Sequence, residues 1–149
     1  MKIYIGADHN GFERKTKLTA YLQRSGYEVI DEGDVSLSPE DDFPQFASRV
    51  VQAMRTDRDT DTRGILVCGS GQGMCMAANR FKGIRACLAF DQEEARSARN
   101  DDDSNVLCLS ARALDFDTTV GIVHAFLMTP FAGAPRYKRR IQELDELGD

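Results

Sequence analysis

The sequence predicts an α/β domain built on a parallel sheet that helices cover on both faces. Short apolar runs, such as residues 65–68 and 106–109, alternate along the chain with longer segments of helical periodicity. Because neighbouring parallel strands are joined by crossover helices, this alternation predicts right-handed βαβ units. The length of 149 residues suits one domain, residues 1–149, with a substantial core.

Each predicted element is bounded by turn or cap residues. The first strand ends at the polar Asp8-His9, the first helix ends at Ser25-Gly26, and Pro44 suits the first turn of the second helix. The predicted strands are residues 2–7, 27–31, 65–68, 84–90 and 106–109. The predicted helices are residues 12–22, 43–54, 74–80, 91–100, 116–128 and 135–147.

Composition argues against several classes of function. A net charge of −5 argues against broad nucleic-acid binding, which needs a basic face. No apolar run approaches the roughly 18 residues that a membrane span requires. Residues 1–7 are too short for the apolar region of a signal peptide, so we expect a cytoplasmic protein that binds neither nucleic acid nor membrane.

The cysteines and histidines do not form a metal-binding pattern. Four cysteines and two histidines are present, without a C-x-x-C pair, so no metal site is expected. Cys75, Cys87 and Cys108 lie in apolar segments and are interpreted as core residues. His124, between Val123 and the apolar end of its helix, is interpreted as structural.

The stretch 65–74 combines a buried strand, Cys68 at its end, three alternating glycines and the start of a helix. Backbone N–H groups in such a turn suit a phosphate or a developing oxyanion, and a helix start activates a nearby thiol. The glycines lack the G-x-G-x-x-G spacing of dinucleotide sites. Residues 57–61 resemble the start of a calcium loop, but Thr62 and Cys68 stand where that loop needs glycine and glutamate, so we expect a solvated turn.

Polar side chains follow most of the predicted strands. They are Asp8-His9, Asp31, residues 68–73, Asp91 and residues 110–112. Since ligands of open parallel sheets bind beyond the carboxyl ends of the strands, this edge is the predicted site. On the last helix, Arg136 and Arg140 share one face and suit a phosphate. The alternative is a solvated basic helix paired with Glu143, Asp145 and Glu146.

In combination, these motifs resemble the type B ribose-5-phosphate isomerases and the related galactose-6-phosphate isomerase subunits. The matching stretches are residues 6–12, 42–44, 68–73, 77–80, 83–86 and 105–107. The resemblance implies a Rossmann-like three-layer α/β/α sandwich with a five-stranded parallel sheet. It also implies a homodimer, or a pair of such dimers, whose active sites are shared between subunits. The substrate would be a sugar phosphate, and no cofactor or metal would be needed.

The resemblance also assigns roles to residues. Cys68 matches the catalytic base of one branch; another branch uses a glutamate where this chain has Met74, which cannot accept a proton. Ser70 matches a catalytic hydroxyl residue, and the loop formed by Gly69, Ser70, Gly71, Gln72 and Gly73 matches the one that holds the sugar's reacting end. The remaining matches are to substrate-binding residues, namely Asp8, His9, Arg112, Arg136 and Arg140. One residue is inserted near Ala134, which shifts the alignment at Arg136.

The chain departs from the family at one place. Asp101 and Asp102 stand where the family has His-Asn, and that histidine is credited with opening the furanose ring. Asp101 is a candidate for this proton transfer, with Asp102 as a substrate-binding neighbour. The alternatives are an acidic loop without a chemical role, ring opening by His9, use of the open-chain sugar, or a different substrate.

The predicted function is aldose–ketose isomerisation of ribose 5-phosphate through an enediolate, with Cys68 removing the proton. Moving a carbonyl between neighbouring carbons leaves the net oxidation state unchanged, so no redox cofactor is needed. One alternative is a six-carbon substrate such as galactose or allose 6-phosphate. The other is a non-catalytic domain that binds a phosphosugar or nucleotide.

Overall fold

A five-stranded, all-parallel sheet with the strand order β2-β1-β3-β5-β4 forms the centre of the molecule. The computed structural model describes residues 1–147. The strands are β1 (Lys2–Ala7), β2 (Glu28–Asp31), β3 (Thr62–Cys68), β4 (Ala86–Leu88) and β5 (Val106–Ser110). The helices are α1 (Phe12–Arg24), α2 (Phe43–Thr56), α3 (Gln72–Ala78), α4 (Gln92–Asp102), α5 (Phe116–Met128) and α6 (Pro135–Asp145). The predicted three-layer α/β/α class is confirmed.

Two apolar cores cover the two faces of the sheet. On one face, Leu18 of α1 and Phe126 of α5 pack with Ile65 of β3. On the other face, Phe46 of α2 and Met74 of α3 pack with the strands. Successive side chains of a strand point to opposite faces, so the apolar runs of the central strands supply both cores. In contrast, α6 buries none of its residues.

The strand order places a crevice above the middle of the sheet. From β1 the chain moves outward to β2, then crosses to β3 on the other side of β1. The connections after β1 and β3 therefore leave the sheet in opposite directions, which is where open α/β sheets bind ligands. Ala7 pairs with Val67, and Cys68 pairs with Ser110, so the residues after β1, β3 and β5 meet at this edge.

Two strands differ from their predicted bounds by more than one residue. β3 begins at Thr62 rather than at residue 65, because its polar start pairs with Lys2 at the beginning of β1. β4 spans only Ala86–Leu88 rather than residues 84–90. Gly83 has a φ of 82° and the Ile84 N–H donates to the Phe81 carbonyl, so a turn occupies the predicted beginning of this strand.

The segment 57–61 forms a structural contact with β1. The carboxylate of Asp57 accepts hydrogen bonds from Lys2 Nζ at 2.7 Å and Tyr4 Oη at 2.6 Å. Burial first, and then the bond to Asp57, raise the pKa of Tyr4 to about 12. Asp57 therefore joins the loop to the sheet. Within residues 1–147, the helices are too short or too polar to cross a membrane.

Candidate active site

The thiol of Cys68 lies at the centre of the site. Cys68 is the last residue of β3 and is 5% exposed. The backbone N–H of Gly71 donates to its Sγ at 3.1 Å. Gly71 has a φ of 78°, a backbone conformation that residues with a side chain rarely adopt. This conformation lets the loop turn back so that the N–H points toward the strand. The glycine loop therefore places a backbone dipole against the sulfur, where it stabilises negative charge.

The end of β5 fixes the glycine loop. The carbonyl of Gly69 accepts hydrogen bonds from Ser110 Oγ at 2.8 Å and from the Arg112 backbone N–H at 3.1 Å. The Arg112 guanidinium lies against Gly69, since a Cβ built on this glycine would be 2.5 Å from one of its nitrogens. Ser70 and Gln72, between the glycines, are exposed. The loop thus presents two side chains outward beside a cationic group.

Asp8 and His9 lie beside Cys68 on the neighbouring strand. Asp8 continues β1 next to the end of β3, and adjacent strands are about 4.8 Å apart. Asp8 is 6% exposed and its Oδ1 accepts the Gly11 N–H at 3.1 Å. The His9 side chain remains 32% exposed. The structure therefore brings Asp8, His9, the glycine loop and Arg112 together at one edge of the sheet.

Asp41 also contacts this edge, and the sequence analysis did not select it. Its carboxylate accepts hydrogen bonds from both the backbone and the ring of His9. This contact raises the pKa of His9 above its ordinary value. Asp41 stands in a polar, acidic stretch between β2 and α2, and no spacing or periodicity separated it from its neighbours.

The other predicted site residues lie at the opposite edge. Asp101 and Asp102 end α4, whose chain next enters the amino end of β5 at Val106. β5 then runs to Ser110 before it reaches Cys68, a rise of about 13 Å. α6 follows on the same side, since the Ala132 N–H donates to the Asn100 carbonyl at 3.1 Å. Asp101, Asp102, Arg136 and Arg140 are therefore not brought to Cys68 within one chain.

Within this second group, Asp101 and Arg136 are near each other. Asp101 Oδ1 accepts a hydrogen bond from the Asn100 side-chain amide at 2.7 Å. The pKa of Arg136 is raised, mainly by its bond to the Tyr137 hydroxyl and in smaller part by the charge of Asp101. Arg140 is exposed on the same helix. An acid and two guanidinium groups thus form a separate charged cluster.

The remaining cysteines lie in or beside the cores. Cys108 is fully buried, which raises its pKa well above the ordinary value. Cys87 is half-buried, and burial raises its pKa to about 11. A hydrogen bond with Cys108 lowers the pKa of the half-buried Cys75 to about 7. His124, interpreted from the sequence as structural, is exposed on α5.

The site offers a thiol, backbone N–H groups and cations. Over the described range 1–147, no three His, Cys, Asp or Glu side chains are grouped closely enough to hold a metal ion. A buried thiol beside outward-facing donors and an arginine suits proton transfer on a small anionic substrate.

Comparisons with known proteins identify the family of this chain. Residues 3–144 match the family described as Ribose/Galactose Isomerase. A curated relative from Mycoplasma pneumoniae, called probable ribose-5-phosphate isomerase B, is 43% identical over 137 residues, which are 92% of this chain and 89% of the relative.

Solved structures show the same similarity. A ribose 5-phosphate isomerase from Thermotoga maritima is 42% identical, covers 98% of both chains and superposes with a TM-score of 0.92. Ribose-5-phosphate isomerase B from Mycoplasma genitalium, solved with bound ribulose-5-phosphate, is 38% identical with a TM-score of 0.91, over 97% of this chain and 93% of that chain. This chain belongs to the ribose/galactose isomerase family.

Proposed function

We propose that this chain interconverts ribose 5-phosphate and ribulose 5-phosphate, with Cys68 as the base. Family membership makes it an aldose–ketose isomerase, and the Mycoplasma genitalium relative binds ribulose-5-phosphate. The observation that carries the cysteine mechanism is the 3.1 Å contact from the Gly71 N–H to Cys68 Sγ at the crevice. Met74, the residue that replaces the alternative glutamate base, is fully buried.

The reaction requires a proton to leave the carbon that becomes the carbonyl of the ketose. Cys68 takes this proton as a thiolate, and the electrons move onto the carbonyl oxygen to give an enediolate. In this proposal, Ser70 and N–H groups of the glycine loop donate to the enediolate oxygens. A preorganised donor of this kind is worth roughly 3 kcal/mol in comparable sites. Return of the proton to the neighbouring carbon, together with transfer of the hydroxyl proton from the second oxygen to the first, gives the isomer.

The phosphate is bound by arginines in this proposal. Arg112 contributes from the same edge as Cys68, through the guanidinium that lies against Gly69. Arg136 and Arg140 of a second copy of the chain bind the same phosphate. Within one chain these arginines and Cys68 lie at opposite ends of β5, so they cannot serve one site. Asp8 and His9 contact the sugar phosphate from the end of β1. The remote phosphate contacts fix the reacting carbons beside the thiol.

A homodimer, alone or as a pair of dimers, therefore completes each site. The exposed α6 supports this assembly, since it carries both arginines and buries none of its own residues. Leu144 in this helix and Leu147 just after it are 49% and 74% exposed. A second chain would cover this helix and bring its cluster of charges to Cys68.

Asp101 is the proposed ring-opening group, supplied with the arginines. It would accept the proton of the anomeric hydroxyl and pass it to the ring oxygen. Erythrose 4-phosphate distinguishes this role, because its phosphorylated terminal hydroxyl leaves no furanose ring to open. We expect Asp101→Asn to lower turnover of ribose 5-phosphate about a hundredfold and to leave turnover of erythrose 4-phosphate nearly unchanged. Equal losses with both substrates would remove Asp101 from ring opening.

The test of the function is isomerisation assayed on a panel of sugar phosphates. Ribose 5-phosphate is compared with ribulose, galactose and allose phosphates of matched concentration. We expect the highest kcat/KM with the five-carbon pair. Preference for galactose or allose 6-phosphate would move the assignment to the six-carbon branch of the family. Binding without turnover of every sugar would indicate a non-catalytic phosphosugar-binding domain.

A further inference from the structure

One carboxylate oxygen holds both the backbone and the side chain of His9. Oδ1 of Asp41 accepts the His9 backbone N–H at 3.0 Å and contacts the ring Nδ1 at 2.7 Å. The Asp41 side chain is only 9% exposed, whereas that of His9 is 32% exposed. The acidic partner is thus shielded while the imidazole still reaches solvent at the edge of the sheet.

This double contact fixes which ring nitrogen is turned away from Asp41. Nδ1 carries its proton toward Asp41, so Nε2 points to the other side, where it accepts the side-chain N–H of the exposed Asn10 at 3.1 Å. Two bonds to one oxygen restrict both the backbone and the ring rotamer of His9. The imidazole is therefore oriented before a substrate arrives.

Two carboxylates near the ring favour its charged form. Asp41 approaches from the segment between β2 and α2, and Asp8 is the neighbour on the chain. The N–H of Asn10 at Nε2 favours the neutral form, and this exposed side chain has to turn away when Nε2 is protonated. The hydrogen bond to Asp41 is the main cause of the raised His9 pKa, and the charge of Asp8 adds to it. Partial burial of the imidazole opposes this shift.

We propose that Asp41 is a positioning residue that holds His9 as an oriented cation, with its Nε2–H donating to an oxygen of the anionic substrate in place of the contact with Asn10. This inference rests on the proposed function, since it assigns His9 to the same sugar-phosphate site. Asp41 acts only through His9 and does not contact the substrate. Its contribution is to binding, because a cation that faces an anion in both the bound and the reacting state lowers KM without changing kcat.

A purely structural role for Asp41 is the competing explanation. The Asp41 N–H donates to the Ser38 carbonyl at 3.2 Å, so this residue also belongs to a turn. A structural residue would affect stability and would leave the pH dependence of KM unchanged. The two explanations therefore differ in a titration.

The test compares Asp41→Asn with Glu40→Gln. Asparagine keeps an acceptor oxygen in the same place and removes the charge, and Glu40→Gln removes the same charge from the exposed neighbouring side chain. The protein contains two histidines, so NMR of histidine-labelled chain resolves the His9 titration with the His124→Gln variant as assignment control. KM and kcat for ribose 5-phosphate are measured across the same pH range.

In the unsubstituted protein, we expect KM to be low while His9 is charged and to rise as the pH passes above the His9 pKa. In Asp41→Asn the His9 pKa falls, so the rise in KM begins at a lower pH. Between the two titrations, KM should be roughly three- to tenfold higher than in the unsubstituted protein, with kcat within about twofold. Ionisation of the substrate phosphate affects all variants equally. Asp41→Glu keeps the negative charge, so the His9 pKa in this variant should lie between those of the unsubstituted protein and Asp41→Asn.

An unchanged His9 pKa in Asp41→Asn would overturn the proposal, as would an unchanged KM profile in an enzyme that turns over. An equal fall of the His9 pKa in Glu40→Gln would also overturn it, because the loss of any nearby negative charge, rather than the contact with Asp41, would then be the cause. Absence of turnover in the unsubstituted protein would instead be a failure of the proposed function, and the NMR titration separates that case from a failure of the Asp41–His9 pair.

Discussion

The two edges of the sheet carry different halves of the candidate chemistry. At the carboxyl edge, Cys68 is buried and receives a hydrogen bond from Gly71, and His9 is held by Asp41. At the amino edge, Arg140 is exposed on a helix without a buried residue. One half is fixed by the fold of its own chain, and the other faces solvent.

This contrast indicates where preorganisation comes from in each half. The proposed base, Cys68, and the glycine loop would have to hold the reacting carbons within a fraction of an ångström, and the core supplies that rigidity. The arginines and Asp101 only need to be correctly placed once a second chain is present. Assembly, rather than folding of one chain, would then complete the site.

The largest expected effect is at the buried half. Cys68→Ala removes the proposed base, so kcat should fall by roughly a thousandfold or more, while KM changes little. Cys75→Ala is the matched control, because it removes a thiol whose pKa is lowered to about 7 and which lies outside the glycine loop. Steady-state kinetics with purified variants measures both.

Full activity of Cys68→Ala would exclude this thiol as the base. A loss in Cys75→Ala equal to that in Cys68→Ala would indicate damage to the packing around α3 rather than to the chemistry.

The next largest effect tests whether the two halves of one site come from two chains. Cys68→Ala and the double variant Arg136→Ala, Arg140→Ala should each be nearly inactive alone. Coexpressed with different tags, they should form hybrid dimers in which one of the two sites is intact. Statistical mixing would restore about a quarter of the normal activity, and the purified hybrid about half. Hybrids as inactive as the parents would show that each site is built from one chain.

The smallest effect compares one glycine from each edge. Gly71 and Gly83 both have positive φ, at 78° and 82°. A Cβ on Gly71 would be 2.5 Å from a Leu88 methyl and 3.1 Å from the Leu109 backbone, whereas one on Gly83 would meet nothing within 4 Å. We expect Gly83→Ala to destabilise the fold by about 1 kcal/mol and Gly71→Ala by about 2–4 kcal/mol.

Urea unfolding of the two glycine variants measures this difference in free energy. Equal losses would mean that backbone conformation, not the packing against β4 and β5, sets the cost at Gly71.

Most of the fold could be predicted from the sequence because periodicity and turn residues are local signals. The bounds of β1 and α5 agree with prediction to the residue. The predicted bounds of β3 and β4 were wrong because these bounds depend on contacts distant in sequence or on a turn. Thr62 joins β3 only through its pairing with Lys2, and the turn at Gly83 shortens β4. Lys15 was not recognised as a core residue, since its burial depends on Asp31 of β2, whose carboxylate is 2.7 Å away.

The site was predictable only in part for the same reason. Cys68 and its glycines are contiguous, and the residues after β1 and β5 follow from the topology of a parallel sheet. The contact between Asp41 and His9 spans 32 positions and depends on the path of an irregular segment. That Asp101 and Arg136 lie beyond the other end of β5 required the observed course of α4 and α6.

The glycine loop restricts how this enzyme can change its substrate. A Cβ at Gly69 would meet Arg112, at Gly71 it would meet Leu88, and at Gly73 it would lie 2.7 Å from the Phe43 ring. Gly71 is thus closed to side chains by its positive φ and the Leu109 backbone, while a side chain at Gly69 or Gly73 would have to displace Arg112 or Phe43. Ser70 and Gln72 between the glycines are open. Within this loop, variation toward other sugars therefore costs least at Ser70 and Gln72 and most at Gly71.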